Sequence, residues 1–163
     1  MQYVFWLRRN RIAGRSGPDL DPWYPEQLAA AGIGAVVSVN QALSVYPNDL
    51  ARAGLSHAHF PMADNAPPRP GDFEYCIDLL PRVFAYLAES IDAGRIPLVH
   101  CSAGKDRTGL VLCDYLCRTE VLAPLDAIRE LRRVRPIALS APGYEDFAIE
   151  VLTALHGGGT DSR

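Results

Sequence analysis

Short apolar runs and longer stretches of helical period alternate along this chain. Residues 2–7 (QYVFWL) and 11–15 (RIAGR) read as two short strands, followed by a turn-rich segment with glycine, proline and aspartate. Residues 25–31 have the pattern of a short helix closed by Gly32. GAVVSVN (34–40) is a continuous β-branched run of the kind that fills a buried strand. A second short helix is expected over 47–53, with Gly54 as its stop, and an alternating strand over 55–62. The proline-rich stretch 63–71 excludes regular structure. Helical period then runs from 72 to 93, with Pro81 expected to kink or divide it. IPLVHC (96–101) is a buried strand, and three helices follow over 108–118, 124–134 and 142–155. Strands alternating with helices predict an α/β fold: a central, mostly parallel sheet flanked by helices.

Composition narrows this frame. A chain of 163 residues buries a sufficient core as one domain, expected over 1–155 with a flexible tail at 156–163. The net charge of −3 gives no global attraction to nucleic acid or to an anionic membrane. No apolar run reaches membrane-spanning length, so no stable membrane insertion is expected. The N-terminal MQYVFWLRRNR places its charges after its apolar stretch, the reverse of a secretion signal. The four cysteines, Cys76, Cys101, Cys113 and Cys117, fit no zinc spacing, and a chain of this size needs no disulfide framework. The expectation is a reducing, cytoplasmic setting, a monomer, and no metal or other cofactor.

The chemistry concentrates in HCSAGKDRTG, His100 to Gly109. A strand ends at Cys101 and a helix begins about six residues later, so the connection is tight and Gly104 supplies its freedom. Successive amides in such a loop, Ser102, Ala103, Gly104, Lys105, Asp106 and Arg107, can point inward and form an anion nest. The helix N-terminus adds unpaired N–H groups, and Arg107 adds a planar fork suited to two phosphate oxygens. Cys101 lies beneath the centre of that cradle, where the same dipoles favour a sulfur anion and so a nucleophile aimed at phosphorus. A Walker loop is excluded, because no glycine stands four residues before GK and no Ser or Thr follows the lysine.

This stretch resembles the HC-x5-R-[ST] signature of the cysteine-dependent protein tyrosine and dual-specificity phosphatases. RIAGRSG, GIGAVVSVNQ, HFPMADNAPP and AIRELRRVRP are similar, in order, to segments of small atypical dual-specificity phosphatases, so the resemblance covers most of residues 1–150. It implies the protein tyrosine phosphatase fold, Cys101 as nucleophile, Arg107 as phosphate ligand, and Thr108 hydrogen-bonded to the sulfur. It also implies that Cys76 can form a protective disulfide with Cys101, as some members do.

Ester cleavage also needs a proton donor. His100 precedes the nucleophile and alternation turns it away from the pocket, which leaves it a hydrogen-bonding role in fixing the loop. His57 and His59 share one strand face and read as structural or solvent-facing, and His156 falls in the tail. Asp64 follows a strand, opens the proline-rich loop and lies in a segment that resembles the family's general-acid loop, so it is the expected acid and then base. Asp72 reads as a helix cap and Asp49 as solvated. Cys113 and Cys117, four apart, read as core. The arginines Arg129, Arg132, Arg133 and Arg135 read as a solvated basic helix face, with docking of an acidic partner as the alternative.

The expected activity is hydrolysis of phosphotyrosine, extending to phosphoserine and phosphothreonine, in a phosphoprotein or phosphopeptide, through a cysteinyl-phosphate. Two alternatives stand beside it. A Lys105 at the pocket rim would favour several phosphates, as in a phosphoinositide or inositol-phosphate phosphatase. A phospho-residue binding module without turnover would need neither thiol nor acid.

Overall fold

The computed structural model describes residues 2–157. Five strands form one sheet in the order β1-β2-β5-β3-β4: β1 Phe5–Arg8, β2 Ile12–Arg15, β3 Ile33–Ser38, β4 Ser56–His59 and β5 Ile96–His100. β1 is antiparallel to β2, and the other neighbours are parallel. Alternation along the strands feeds two cores. Ile12, Val37 and Val99 face one side, whereas Ala13, Val36 and Leu98 face the other.

The first face is covered by α3 Asp72–Asp92, α4 Arg107–Glu120, α5 Pro124–Arg132 and α6 Tyr144–His156. The second is covered by α1 Pro25–Ala30 and α2 Pro47–Arg52, which bury Leu28 and Leu50. Both short helices and α5 begin on proline, whose fixed φ suits the first turn and whose missing N–H costs nothing there.

Pro81 leaves α3 a single helix of 21 residues. It lies on the exposed side, where water satisfies the carbonyl freed by the missing N–H. The first strand begins at Phe5 rather than residue 2, because Tyr3 takes a left-handed φ of 69° that a strand does not accept. The last helix starts at Tyr144, behind Gly143 at φ 74°, and runs through His156. His156 is therefore not tail: its Nε2 lies 2.7 Å from the buried Asp114 carboxylate, which Arg118 also reaches at 2.8 Å. That cluster fastens α4, the helix carrying Arg107 and Thr108, to α6. The remainder of the expected tail, 158–163, lies outside the described residues.

β5 is the central strand, with β2 on one side and β3 on the other. Both neighbours run parallel to it, so the segments that follow the three strands emerge together and frame a crevice at the C-terminal strand ends. His100 closes β5 and Arg107 opens α4, so the 101–106 loop sits in that crevice.

Candidate active site

Every carbonyl from His100 to Asp106 accepts a hydrogen bond from outside the loop's interior. Val39 N donates to His100 O at 2.9 Å, and His100 Nδ1 lies 3.0 Å from Cys101 O. Gly17 N donates to Ser102 O at 2.8 Å. Arg135 takes two: Nη2 donates to Ala103 O at 2.6 Å and Nε to Gly104 O at 3.1 Å. Leu139 N donates to Lys105 O at 2.9 Å, and Leu110 N to Asp106 O at 2.9 Å. No amide from Ser102 to Asp106 donates to a backbone carbonyl among the described residues. Carbonyls drawn outward leave amides free to converge on an anion.

The loop is tightly enclosed. Gly104 has φ 67°, and a Cβ there would lie 2.5 Å from Arg15 O and 2.7 Å from Ser16 N. A Cβ on Gly17 would lie 2.3 Å from Cys101 O. Both positions require glycine on steric grounds. Asp19 adds a side-chain tie, accepting from Ser102 Oγ at 2.8 Å.

Inside the loop, Cys101 is buried, and Thr108 Oγ1 donates to its Sγ at 3.1 Å. A cavity of about 150 Å³ lies over it, lined by Cys101, Ser102, Ala103, Asp106, Arg107 and, across the mouth, Asp64. Tyr144, buried at the start of α6, forms another wall, and burial holds its phenol well above the usual range. Arg107 is buried, and its Nη2 pairs with Asp64 Oδ1 at 3.0 Å. Asp64 itself is 78 % exposed, so the 61–71 loop presents this carboxylate to the anion pocket from the solvent side. Asp72 does not cap its own helix: Gly71 is the N-cap, and the Asp72 carboxylate accepts from Asn65 Nδ2 and from Arg69 N, holding the loop that carries Asp64.

His100 is fully buried. Its Nε2 lies 2.6 Å from Ser38 Oγ, which lies 2.9 Å from His57 Nε2, and its ring stacks edge-on against Trp23. With Nδ1–H donating to Cys101 O, Nε2 must accept from Ser38, and Ser38 must accept from His57. Burial, the largest cause, and the Cys101 carbonyl bond, acting the other way, set the His100 imidazole at about 4, so it is neutral at physiological pH.

Lys105 does not face the pocket. Its ammonium lies 2.9 Å from Asp106 Oδ2 and 3.2 Å from Ser140 Oγ, while Asp106 Oδ1 accepts from Ala141 N. Nor do the four arginines form a free basic face. Arg129 pairs with Asp126, Arg133 with Glu130, Arg132 with Glu145, and Arg135, past the end of α5, holds the loop. Arg135 is the functional residue that periodicity hid, because its partners lie in a distant loop. The cysteines are all free. Burial pushes Cys76 to about 12 and Cys117 to about 11, and pushes Cys113 higher still, as expected of core thiols.

A family model described as "Polymorphic toxin system, DSP-PTPase phosphatase" matches residues 20–121. The chain is 30% identical over 121 residues to dual specificity protein phosphatase 12 of Rattus norvegicus, covering 74% of this chain and 34% of that protein. It thus spans about a third of the length of that relative. It is 27% identical over 127 residues to a tyrosine-protein phosphatase of Autographa californica nuclear polyhedrosis virus, covering 76% of this chain and 73% of the viral one. Among solved structures, Tk-PTP in its active form superposes with a TM-score of 0.79 at 22% identity, covering 96% of this chain and 98% of that one. PTPMT1 in complex with PI(5)P superposes with a TM-score of 0.76 at 16% identity, covering 98% and 97%. These superpositions show the shared α/β fold.

Two outcomes follow from the geometry. Arg135→Ala frees the carbonyls of Ala103 and Gly104, and vanadate affinity by calorimetry falls roughly tenfold or more, the scale of a hydrogen bond to a charged group. Arg135→Lys, with one donor site in place of a fork, falls between; a loss under twofold in the alanine variant contradicts the reading. For His100, the unfolded imidazole binds protons from about 6.5 downward while the folded one resists until about 4. Its contribution to stability is therefore complete above 6.5 and is lost as pH falls toward 4, by about 3 kcal/mol. Urea unfolding across that window shows this slope in wild type and a shallower one in His100→Gln.

Proposed function

The chain belongs to the DSP-PTPase phosphatase family, and we propose that it hydrolyses phosphotyrosine, and phosphoserine or phosphothreonine, in phosphoproteins through a cysteinyl-phosphate. The observation that carries this reading is the outward-turned loop closing around the Cys101 sulfur, with Arg107 at its edge. Residues 1–155 serve as one catalytic domain.

The phosphoryl group sits on the free amides and the Arg107 fork, displacing the Asp64 carboxylate from that guanidinium. The Cys101 thiolate attacks phosphorus in line. Asp64, released from Arg107, takes a proton from solvent, and as the S–P bond forms and the ester P–O bond breaks it gives that proton to the departing oxygen. Water then attacks the phosphocysteine, Asp64 takes its proton, and the sulfur leaves as thiolate with the Thr108 hydroxyl bonded to it. The electrostatic part of this catalysis is preorganised, because the amide dipoles are fixed before substrate arrives.

The phosphoinositide alternative draws support from PTPMT1, solved with PI(5)P. It is weakened by the one residue that suggested it here: Lys105 is engaged by Asp106 and Ser140. A binding module is disfavoured by the convergence of thiol, guanidinium and exposed carboxylate on one cavity.

Steady-state kinetics with two substrates test the reading. Cys101→Ser abolishes turnover and retains vanadate binding, whereas near-wild-type hydrolysis in that variant removes the mechanism. Asp64→Asn loses about a hundredfold or more on a phosphotyrosine peptide and far less on a nitro-activated aryl phosphate, whose leaving group needs no proton. Equal losses on both assign the acid elsewhere.

A further inference from the structure

We propose that the groove beside the phosphate pocket seats an extended stretch of the substrate polypeptide that carries lysine or arginine close to the phosphorylated residue. This rests on the phosphatase reading above and names the chemistry flanking its target.

The groove neighbours the pocket through shared walls. Ala63, Asn65 and Tyr144 wall both the phosphate pocket and a narrow cleft of about 10 Å³ beside it. Pro68 and Phe147 wall that cleft and also an open groove of about 560 Å³, between the 67–71 turn and the first turns of α3 and α6. A chain whose phosphate reaches Cys101 has this groove as its adjacent concave surface.

The groove's chemistry selects the occupant. Pro67, Phe73 and Phe147 line it, surfaces on which the aliphatic stems of lysine and arginine lie well. Glu74, Asp146 and Glu150 line it too, all exposed and none in an ion pair among the described residues, against the single cation Arg69. The helix dipoles account for Glu74 and Asp146, which stand in first turns. They do not account for Glu150, one turn further along α6 on the Asp146 side. Like charges four residues apart repel, and a cation between them removes that cost. Three cations around the loop are already engaged, Lys105 on Asp106, Arg132 on Glu145 and Arg135 on loop carbonyls, which leaves Arg69 against the three carboxylates of the groove. A ligand with several phosphates therefore meets Arg107 and then three carboxylates against one arginine, while a monophosphate beside basic residues meets complementary charge in both the pocket and the groove.

Two phosphotyrosine peptides that differ only in lysine or glutamate flanks, compared by kcat/KM, test this. Wild type prefers the lysine-flanked peptide about tenfold, the scale of two exposed ion pairs, and the preference shrinks with added salt. Asp146→Lys/Glu150→Lys reverses the order, and the milder Glu150→Gln reduces it should the double variant fold poorly. Each preference is a ratio within one preparation, so an inactive fraction cancels. Equal rates on the two peptides, or a ratio that neither variant changes, overturns the proposal, as does a soluble phosphoinositide hydrolysed faster than either peptide. A parallel assay with para-nitrophenyl phosphate separates the failures. Hydrolysis of that ester without peptide preference removes the groove alone, whereas no hydrolysis of any ester removes the phosphatase reading on which it stands.

Discussion

The site depends on one constraint: every carbonyl of the strand-to-helix loop needs a donor on its outer side. A peptide unit that turns its oxygen outward turns its N–H inward, so seven anchored carbonyls from His100 to Asp106 define where the amides point. The donors come from Val39, the His100 ring, Gly17, Arg135, Leu139 and Leu110, which belong to the segments after β3, β2 and α5, to the end of β5 and to α4 itself. No local stretch holds the anion nest. The closed fold holds it, and carbonyls anchored by protein donors order the amides without help from an anion.

The topology explains why those donors are within reach. Parallel neighbours on both sides of β5 place the ends of β2 and β3 level with the end of β5, so the loops after all three meet in one crevice. Two separate cores fix the sheet from both faces, and the Asp114 cluster fixes α4 to α6. The rigid part of the site, Cys101, Arg107 and Thr108, is buried, while Asp64 comes from an exposed loop. That division suits a reaction in which the anion site stays fixed and the proton donor must leave Arg107 to meet a leaving group.

Much of this was legible in the residue pattern. The alternation of strand and helix, the loop with its thiol and guanidinium, and the solitary aspartate opening a proline-rich loop are local features, and the structure brings Cys101, Thr108, Arg107 and Asp64 together. What stayed hidden was long-range or conformational. Arg135 extended an apparent basic stripe, yet its partners are in the 101–106 loop. Lys105 had two directions open to it, and Ser140, far along the chain, decides between them. Pro81 signals a kink or a division by composition, but its exposed position lets water reach the carbonyl that loses its donor, and α3 is not divided there. Tyr3 and Leu139 adopt left-handed φ values that nothing in their side chains announces.

In the proposed reading the groove and the pocket divide recognition between them: fixed dipoles bind the phosphoryl group, and exposed carboxylates read what surrounds it. The central claim concerns the first of these, that the open amides present phosphorus to the Cys101 sulfur. Acid-quenching the Asp64→Asn enzyme during turnover of a nitro-activated aryl phosphate, where hydrolysis of the intermediate is slow, and mapping the peptides by mass tests it most directly. A phosphoryl group on the peptide containing Cys101, absent when that residue is serine, is the predicted result. A phosphoryl group on a histidine or carboxylate, or none on any residue while product forms, contradicts the account.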